Sequence, residues 1–189
     1  MNDQDVLQDF RETKALLDGH FLLRSGLHSE RYFQCALVLQ YPRRAAKLCS
    51  ELAKKAAGIG AQTVISPALG GLFVGQGVGH ALDLRHIFLE KDDVGGLVLR
   101  RGFTITPGEK FLVAEDVVTK GGRVQQTIDV VRKMGGVVVG ACVLVDRSDG
   151  TTNFDVPWWS LLKMQFPTFA PADCPQCRDK IPVEKPGSK

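Results

Sequence analysis

Phe111-Leu-Val-Ala-Glu-Asp-Val-Val-Thr-Lys-Gly-Gly-Arg123 joins an apolar run to two adjacent carboxylates and then to a glycine-bearing turn. The run from Lys110 to Val118 lacks the polar alternation of a half-exposed strand, which predicts a strand buried on both faces. After Gly121-Gly122 a helical segment runs through Lys133, and a second apolar run follows from Val137 to Val145. Upstream the same alternation is visible: a strand at Thr63 to Ser66, a helix at Gly71 to Leu82 and a strand at His86 to Glu90. Continuous apolar strands alternating with helices imply an α/β fold, a parallel sheet with helices on both faces.

Working outward, Pro42 opens a helix whose apolar face (Ala45, Leu48, Cys49, Leu52, Ala56) runs to Gly58. Val6, Leu7, Phe10 and Leu17 predict an N-terminal helix, capped by Asp3 and ending near Gly19. Phe21 to Leu23 and Tyr32 to Val38 read as short strands around Ser25-Gly26. Asp155 to Lys189 carries Trp158, Trp159, Phe166 and Phe169 among prolines and reads as a packed, irregular cover, frayed from Pro186 to Lys189.

A chain of 189 residues, 44% hydrophobic and 24% charged, reads as one domain spanning 1–189. Its net charge of +3 is spread along the chain, which argues against a nucleic-acid partner. Met1 to Phe10 has no apolar core, and no window holds the roughly 18 apolar residues of a bilayer span, so no membrane partner and a cytoplasmic location are expected. Five irregularly spaced cysteines point to reduced thiols. Cys174-Pro-Gln-Cys177 has the spacing of half a zinc site, but no second pair is found at ligand spacing, so an inert or disulfide-prone pair is expected. His20, His28, His80 and His86 read as structural or surface residues. Arg100 and Arg101, flanking an apolar strand, suit either a dimer interface or a salt bridge.

In an open α/β sheet ligands bind beyond the carboxyl ends of the strands, where Glu115 and Asp116 fall. Gly121 and Gly122 let successive amides face one anion, and the following helix adds its positive end, so Thr119, Lys120, Gly121, Gly122 and Arg123 suit a phosphate. Carboxylates just upstream can accept from sugar hydroxyls. Together these read as a site for a phosphorylated ribose. The plain alternative is a strand-turn-helix junction whose acids cap helices or face solvent. A Walker loop does not fit, because Lys120 precedes the glycines.

This stretch resembles the signature of the type I phosphoribosyltransferases. Four further segments, Gly19-His-Phe-Leu-Leu-Arg-Ser-Gly26, Ser29-Glu-Arg-Tyr-Phe33, Leu99-Arg-Arg-Gly-Phe103 and Val145-Asp-Arg147, resemble the orotate phosphoribosyltransferases in particular. The resemblance implies a central parallel sheet flanked by helices, with a small N-terminal hood and an irregular C-terminal cover. It implies transfer of ribose 5-phosphate from phosphoribosyl pyrophosphate to orotate, in UMP biosynthesis. Glu115 and Asp116 would bind the ribose hydroxyls and Thr119 to Arg123 the 5-phosphate, with Val117 and Val118 also among the phosphoribosyl pyrophosphate-binding residues. Tyr32, Phe33, Thr119 and Arg147 would take orotate, and Ala68, Leu69, Gly70 and Gly71 the pyrophosphate. Lys91 would touch pyrophosphate from a flexible loop, running to Gly96, that reaches into the neighbour's site in a homodimer. Magnesium would be held mainly by substrate oxygens rather than by protein ligands. The chain departs from the family at Lys120 and Arg123, where small or hydroxyl residues are usual, and at Leu17 and Gly70, where some members carry lysine. A non-catalytic donor-binding regulator and a transferase for another base are the alternatives; Arg147 argues against the second, because an anionic base explains it better.

Overall fold

The computed structural model describes residues 1–23 and 25–186. Arg24, within one of the quoted motifs, and Gly187 to Lys189, expected to fray, lie outside the described residues.

The chain folds as helix α1 (Asp3–Glu12), strands β1 (Leu16–Leu22) and β2 (His28–Phe33), helices α2 (Ala36–Leu39) and α3 (Pro42–Lys55), β3 (Thr63–Pro67), α4 (Gly70–Leu82), β4 (Arg85–Lys91), β5 (Leu97–Leu99), β6 (Lys110–Val118), α5 (Gly122–Lys133), β7 (Val137–Asp146), β8 (Trp158–Lys163), β9 (Thr168–Phe169) and α6 (Pro175–Arg178). Six strands form the main sheet in the order β5-β4-β3-β6-β7-β8, and β1-β2-β9 form a separate three-stranded hood. All neighbours in the main sheet are parallel except β4 and β5.

The sheet is buried on both faces, as its continuous apolar strands require. On one side Leu112, Ala114, Cys142 and Leu144 pack with Leu48 and Leu52 of α3 and Val74 and Val78 of α4. On the other, Ile65, Phe111, Val113 and Val143 pack with Val124, Ile128 and Val131 of α5. Glycines on α4 allow close approach to the sheet: a Cβ at Gly75 would press on Ser66 Oγ at 2.8 Å and on the His86 ring. Because β3, β4, β6 and β7 are parallel, their carboxyl ends share one edge, and it carries Pro67, Lys91, the acid pair and Arg147.

The N-terminal helix is shorter than its apolar spacing suggested. Asn2, not Asp3, caps it, in a reciprocal box with Asp5. It stops at Glu12 because Lys14 turns left-handed (φ 57°), after which Leu16 and Leu17 pair with Phe33 and Tyr32. Likewise Tyr32 to Val38 is not one strand: β2 ends at Phe33, and Ala36–Leu39 form a helical turn that buries Val38 and Leu39. The C-terminal cover is less irregular than expected, since Trp158–Lys163 completes the main sheet beside β7. The stretch after Lys91 is a tight hairpin turn: Asp92 Oδ1 accepts from the amides of Val94 (3.0 Å) and Gly96 (2.6 Å).

Among the described residues no helix is long and apolar enough to cross a membrane. The five cysteines are free thiols. Cys174 and Cys177 do have a second pair of potential ligands, contrary to expectation: the hood strands bring His20 and His28 to them. That pair was not legible from spacing because 145 residues of intervening fold separate His28 from Cys174.

Candidate active site

β6 delivers Glu115 and Asp116 to the sheet edge because its apolar residues fill both cores up to Ala114. Two clefts meet at this pair. One, of about 560 Å³, is walled by Tyr32, Phe33 and Cys35 of the hood side and by residues 115–124 and Gln126. The other, of about 760 Å³, is walled by Ala68 to Gly70, Phe88, Glu90, Lys91 and Arg101, and again by Glu115, Asp116 and Arg123. The structure thus brings together Tyr32, Phe33, the acid pair and the Thr119 to Arg123 loop in one cleft, and the Ala68 to Gly70 turn and Lys91 in the other. Gly71 sits directly behind the pair, with a hypothetical Cβ 2.9 Å from Glu115 Oε1.

Burial raises the Glu115 carboxyl well above its ordinary range, and the adjacent Asp116 charge adds to the shift. Asp116 is raised as well, again by burial. Two carboxyls this close share a proton more readily than both ionise. Asp116 Oδ1 accepts from its own neighbour's amide, Val117 N, at 2.8 Å. A Cβ at position 70 would run into the Asp116 carboxylate, which accounts for the glycine here.

The turn after β6 positions the helix α5 amides, whose first N–H groups have no partner within the helix. Gly121 adopts φ 74°, and a Cβ there would lie 2.6 Å from Thr152 and 2.9 Å from the Phe154 ring. Thr119 and Lys120 are exposed, and the Thr119 carbonyl accepts from the Thr152 hydroxyl at 3.2 Å. Arg123 does not crowd the loop. Its guanidinium turns aside to donate to Gln126 Oε1 (2.9 Å) and to the Gly95 carbonyl of the β4–β5 hairpin (3.2 Å). Arg101, for which two roles were open, forms a bidentate pair with Glu90 at 2.6 and 3.1 Å.

Arg147 follows β7 and is fastened by its amide to the Val118 carbonyl at 2.8 Å. Its guanidinium stacks 4.9 Å from the centroid of Phe166, and its Nε is buried with no hydrogen-bond partner among the described residues. Burial lowers its pKa from the ordinary arginine value. Tyr32 and Phe33 both line the cleft but, as neighbouring strand residues, face opposite ways. The Phe33 ring packs into the core against Phe10 (5.4 Å, edge-on) and Phe166 (5.6 Å, stacked), while Tyr32 is half-buried beside Phe21 (5.9 Å). Phe166, which also lies 5.5 Å from Arg31, escaped sequence reasoning. It sits in the proline-rich cover, which reaches the hood only through long-range contacts: the β2–β9 pairing and hydrogen bonds from the C-terminal segment to β1.

The profile of the phosphoribosyl transferase domain matches residues 38–173. A protein of Pelotomaculum thermopropionicum named orotate phosphoribosyltransferase is 50% identical over 189 residues, covering 100% of this chain and 99% of the relative. One of the same name from Chlorobium phaeobacteroides is 43% identical, covering 100% and 97%. Among solved structures, orotate phosphoribosyltransferase from Aeropyrum pernix superposes with a TM-score of 0.72 at 24% identity, over 84% of this chain and 93% of that one. Adenine phosphoribosyltransferase from Rhodothermus marinus also superposes, with a TM-score of 0.65 at 19% identity, over 85% and 99%. The fold alone therefore does not separate bases, whereas the relatives at 43% and 50% identity over the whole chain carry the orotate name. The chain belongs to the phosphoribosyl transferase family, among its orotate phosphoribosyltransferases.

Proposed function

We propose that the chain transfers ribose 5-phosphate from phosphoribosyl pyrophosphate to orotate, giving orotidine 5'-monophosphate and pyrophosphate in UMP biosynthesis. The observation that carries the choice of base is Arg147, a half-buried cation whose buried Nε has no hydrogen-bond partner among the described residues and whose backbone is tied to Val118 of the cleft wall. A carboxylate on the base would accept from that guanidinium in the paired geometry it favours. An uncharged base would leave it unpaired.

In this reading Glu115 and Asp116 accept from the ribose hydroxyls and face the positive charge that builds on the sugar ring as the anomeric carbon leaves pyrophosphate and bonds a ring nitrogen of orotate. Catalysis here is positioning and electrostatics rather than covalent chemistry. Val117 to Arg123 hold the 5-phosphate, Thr119 and Tyr32 border the base, and Ala68 to Gly71 with Lys91 meet the pyrophosphate. The hard oxygens of the acid pair fit magnesium held chiefly by substrate oxygens. When bound, that ion would supply Lewis-acid neutralisation of the leaving group. A single 1–189 domain, a homodimer sharing the Lys91 to Gly96 hairpin, and cytoplasmic residence complete the reading; light scattering tests the dimer.

The test is loss of orotate absorbance with purified protein, donor and magnesium, with uracil and purine bases alongside. Loss seen only with orotate and dependent on the donor is expected. Donor binding without turnover of any base would replace the transferase by a binding protein.

A further inference from the structure

Away from the clefts, four side chains with metal-binding atoms converge where the hood meets the C-terminal segment. The ligand atoms of His20, His28, Cys174 and Cys177 all lie within 4.8 Å of one another, and only Cys177 is more than slightly exposed. His20 Nε2 is 2.8 Å from His28 Nδ1, 3.5 Å from Cys174 Sγ and 3.7 Å from Cys177 Sγ; Cys177 Sγ is 3.3 Å from His28 Nδ1. A zinc ion with bonds of about 2.3 Å to sulfur and about 2.0 Å to nitrogen sets tetrahedral edges of about 3.5 Å between S and N and about 3.3 Å between two N atoms. The observed S–N separations match those edges. Only the two imidazoles would have to part, by roughly half an ångström on the same geometry.

We propose that His20, His28, Cys174 and Cys177 form a structural zinc site that fastens the C-terminal segment to the hood. Two thiolates and two imidazoles in a closed tetrahedron suit zinc, and four protein ligands leave no open position for catalysis. His20 Nδ1 lies 2.8 Å from the Ile181 carbonyl, which can only accept, so Nδ1 carries the proton and Nε2 presents its lone pair to the cluster. This is the outer-shell hydrogen bond that orients a metal-bound histidine.

A second, independent observation asks for such a fastening. From Pro171 to Lys185 only Cys174 is buried, while Ile181 and Val183 are 44% and 47% exposed. This segment nonetheless holds a fixed path: Glu184 N donates to the His20 carbonyl and Leu22 N to the Glu184 carbonyl, both at 2.8 Å, and Gln176 Nε2 donates to the Gly19 carbonyl at 3.0 Å. A stretch with almost no apolar burial needs a staple, and metal ligation is a common one in small elements. The clamp would tie β1, which carries His20, and β2, which carries His28 and Tyr32, to the segment that follows β9. It extends beyond the transferase reading and does not depend on it.

The experiment is elemental analysis of the full-length protein, purified under reducing conditions without chelator. About one zinc per chain is expected, falling below about a tenth in Cys174→Ser/Cys177→Ser and unchanged in Cys49→Ser, a buried cysteine outside the cluster. As that double variant can fail to fold, chelator-stripped wild-type protein is also titrated with cobalt(II). The intense visible absorption of a tetrahedral cobalt–thiolate centre, saturating at one equivalent and displaced by zinc, is expected. Protein that is zinc-free as purified and gives no such absorption, or an intact Cys174–Cys177 disulfide in the native protein, would overturn the site.

Discussion

Replacing Gly121 by alanine should damage the phosphate turn through two separable effects. Gly121 sits at φ 74°, where a β-carbon costs about 1 kcal/mol or more. The added methyl would also lie 2.6 Å from Thr152 Cγ2 and 2.9 Å from two atoms of the Phe154 ring. Phe154 is only 3% exposed and packs edge-on against Trp158 at 5.4 Å, so it cannot swing away freely. Overpacking of this kind costs about 1–3 kcal/mol. The total, about 3 kcal/mol, corresponds in a chain of this size to a Tm lower by roughly 6–12 °C. Gly122→Ala is the matched control. Gly122 has no left-handed φ, and its Cβ would meet nothing within 4 Å, so its Tm should stay or rise by the few degrees that a less flexible unfolded chain brings. Differential scanning fluorimetry on both variants, with donor KM measured alongside, reads the contrast. A Gly121→Ala protein that melts within about 1 °C of the Gly122→Ala protein would refute the strain and packing account.

Asp116→Asn should cut transfer at least about tenfold while leaving Tm at pH 8 no lower than wild type. A carboxyl whose pKa is raised on folding costs stability as pH climbs through it, and asparagine cannot ionise; near-normal turnover would remove the acid pair from the mechanism. Arg147→Lys keeps the charge but loses the fork, so orotate KM should rise about 10- to 100-fold, the worth of a charged hydrogen bond. An orotate KM within twofold of wild type would sink that assignment. Burial holds His86 down to about 4 from an ordinary 6.5. The unfolded chain therefore binds the extra proton first, and stability should fall as pH drops from 6.5 toward 4, by on the order of 2 kcal/mol once partial exposure is discounted. Urea melts at pH 7.5 and 4.5 should show a smaller drop in His86→Asn; an identical drop would assign the acid sensitivity elsewhere.

What could be read from the chain was whatever its local pattern encodes. The strands β3, β4, β6 and β7 and the helices α3, α4 and α5 fall within a few residues of their predicted places, because each fills a core with a continuous apolar run or a helical face. The same patterning was ambiguous where a segment is short. Leu16 and Leu17 suit a helix face as well as a strand, and only pairing with Phe33 and Tyr32 decides between them. In the site, residues carried by one continuous stretch, from Glu115 at the end of β6 to Arg123 at the start of α5, were legible together. Phe166 under Arg147 and the histidines facing Cys174 and Cys177 were not, because their meeting depends on the hood folding against the C-terminal segment.

Cys35, Cys49 and Cys142 all belong to the core on one side of the main sheet, each at most 2% exposed. Burial pushes the Cys49 thiol up to about 12 and the other two well above their ordinary value, with the acid pair adding to the effect at Cys35. A thiol reagent needs both access and a thiolate, so in the closed protein these sulfurs are shielded twice over. Alkylation at each can then proceed only when its surroundings open. Followed peptide by peptide, the three labelling rates would form a built-in gauge of breathing, with Cys35 timing the junction below the acid pair and Cys142 the centre of the sheet.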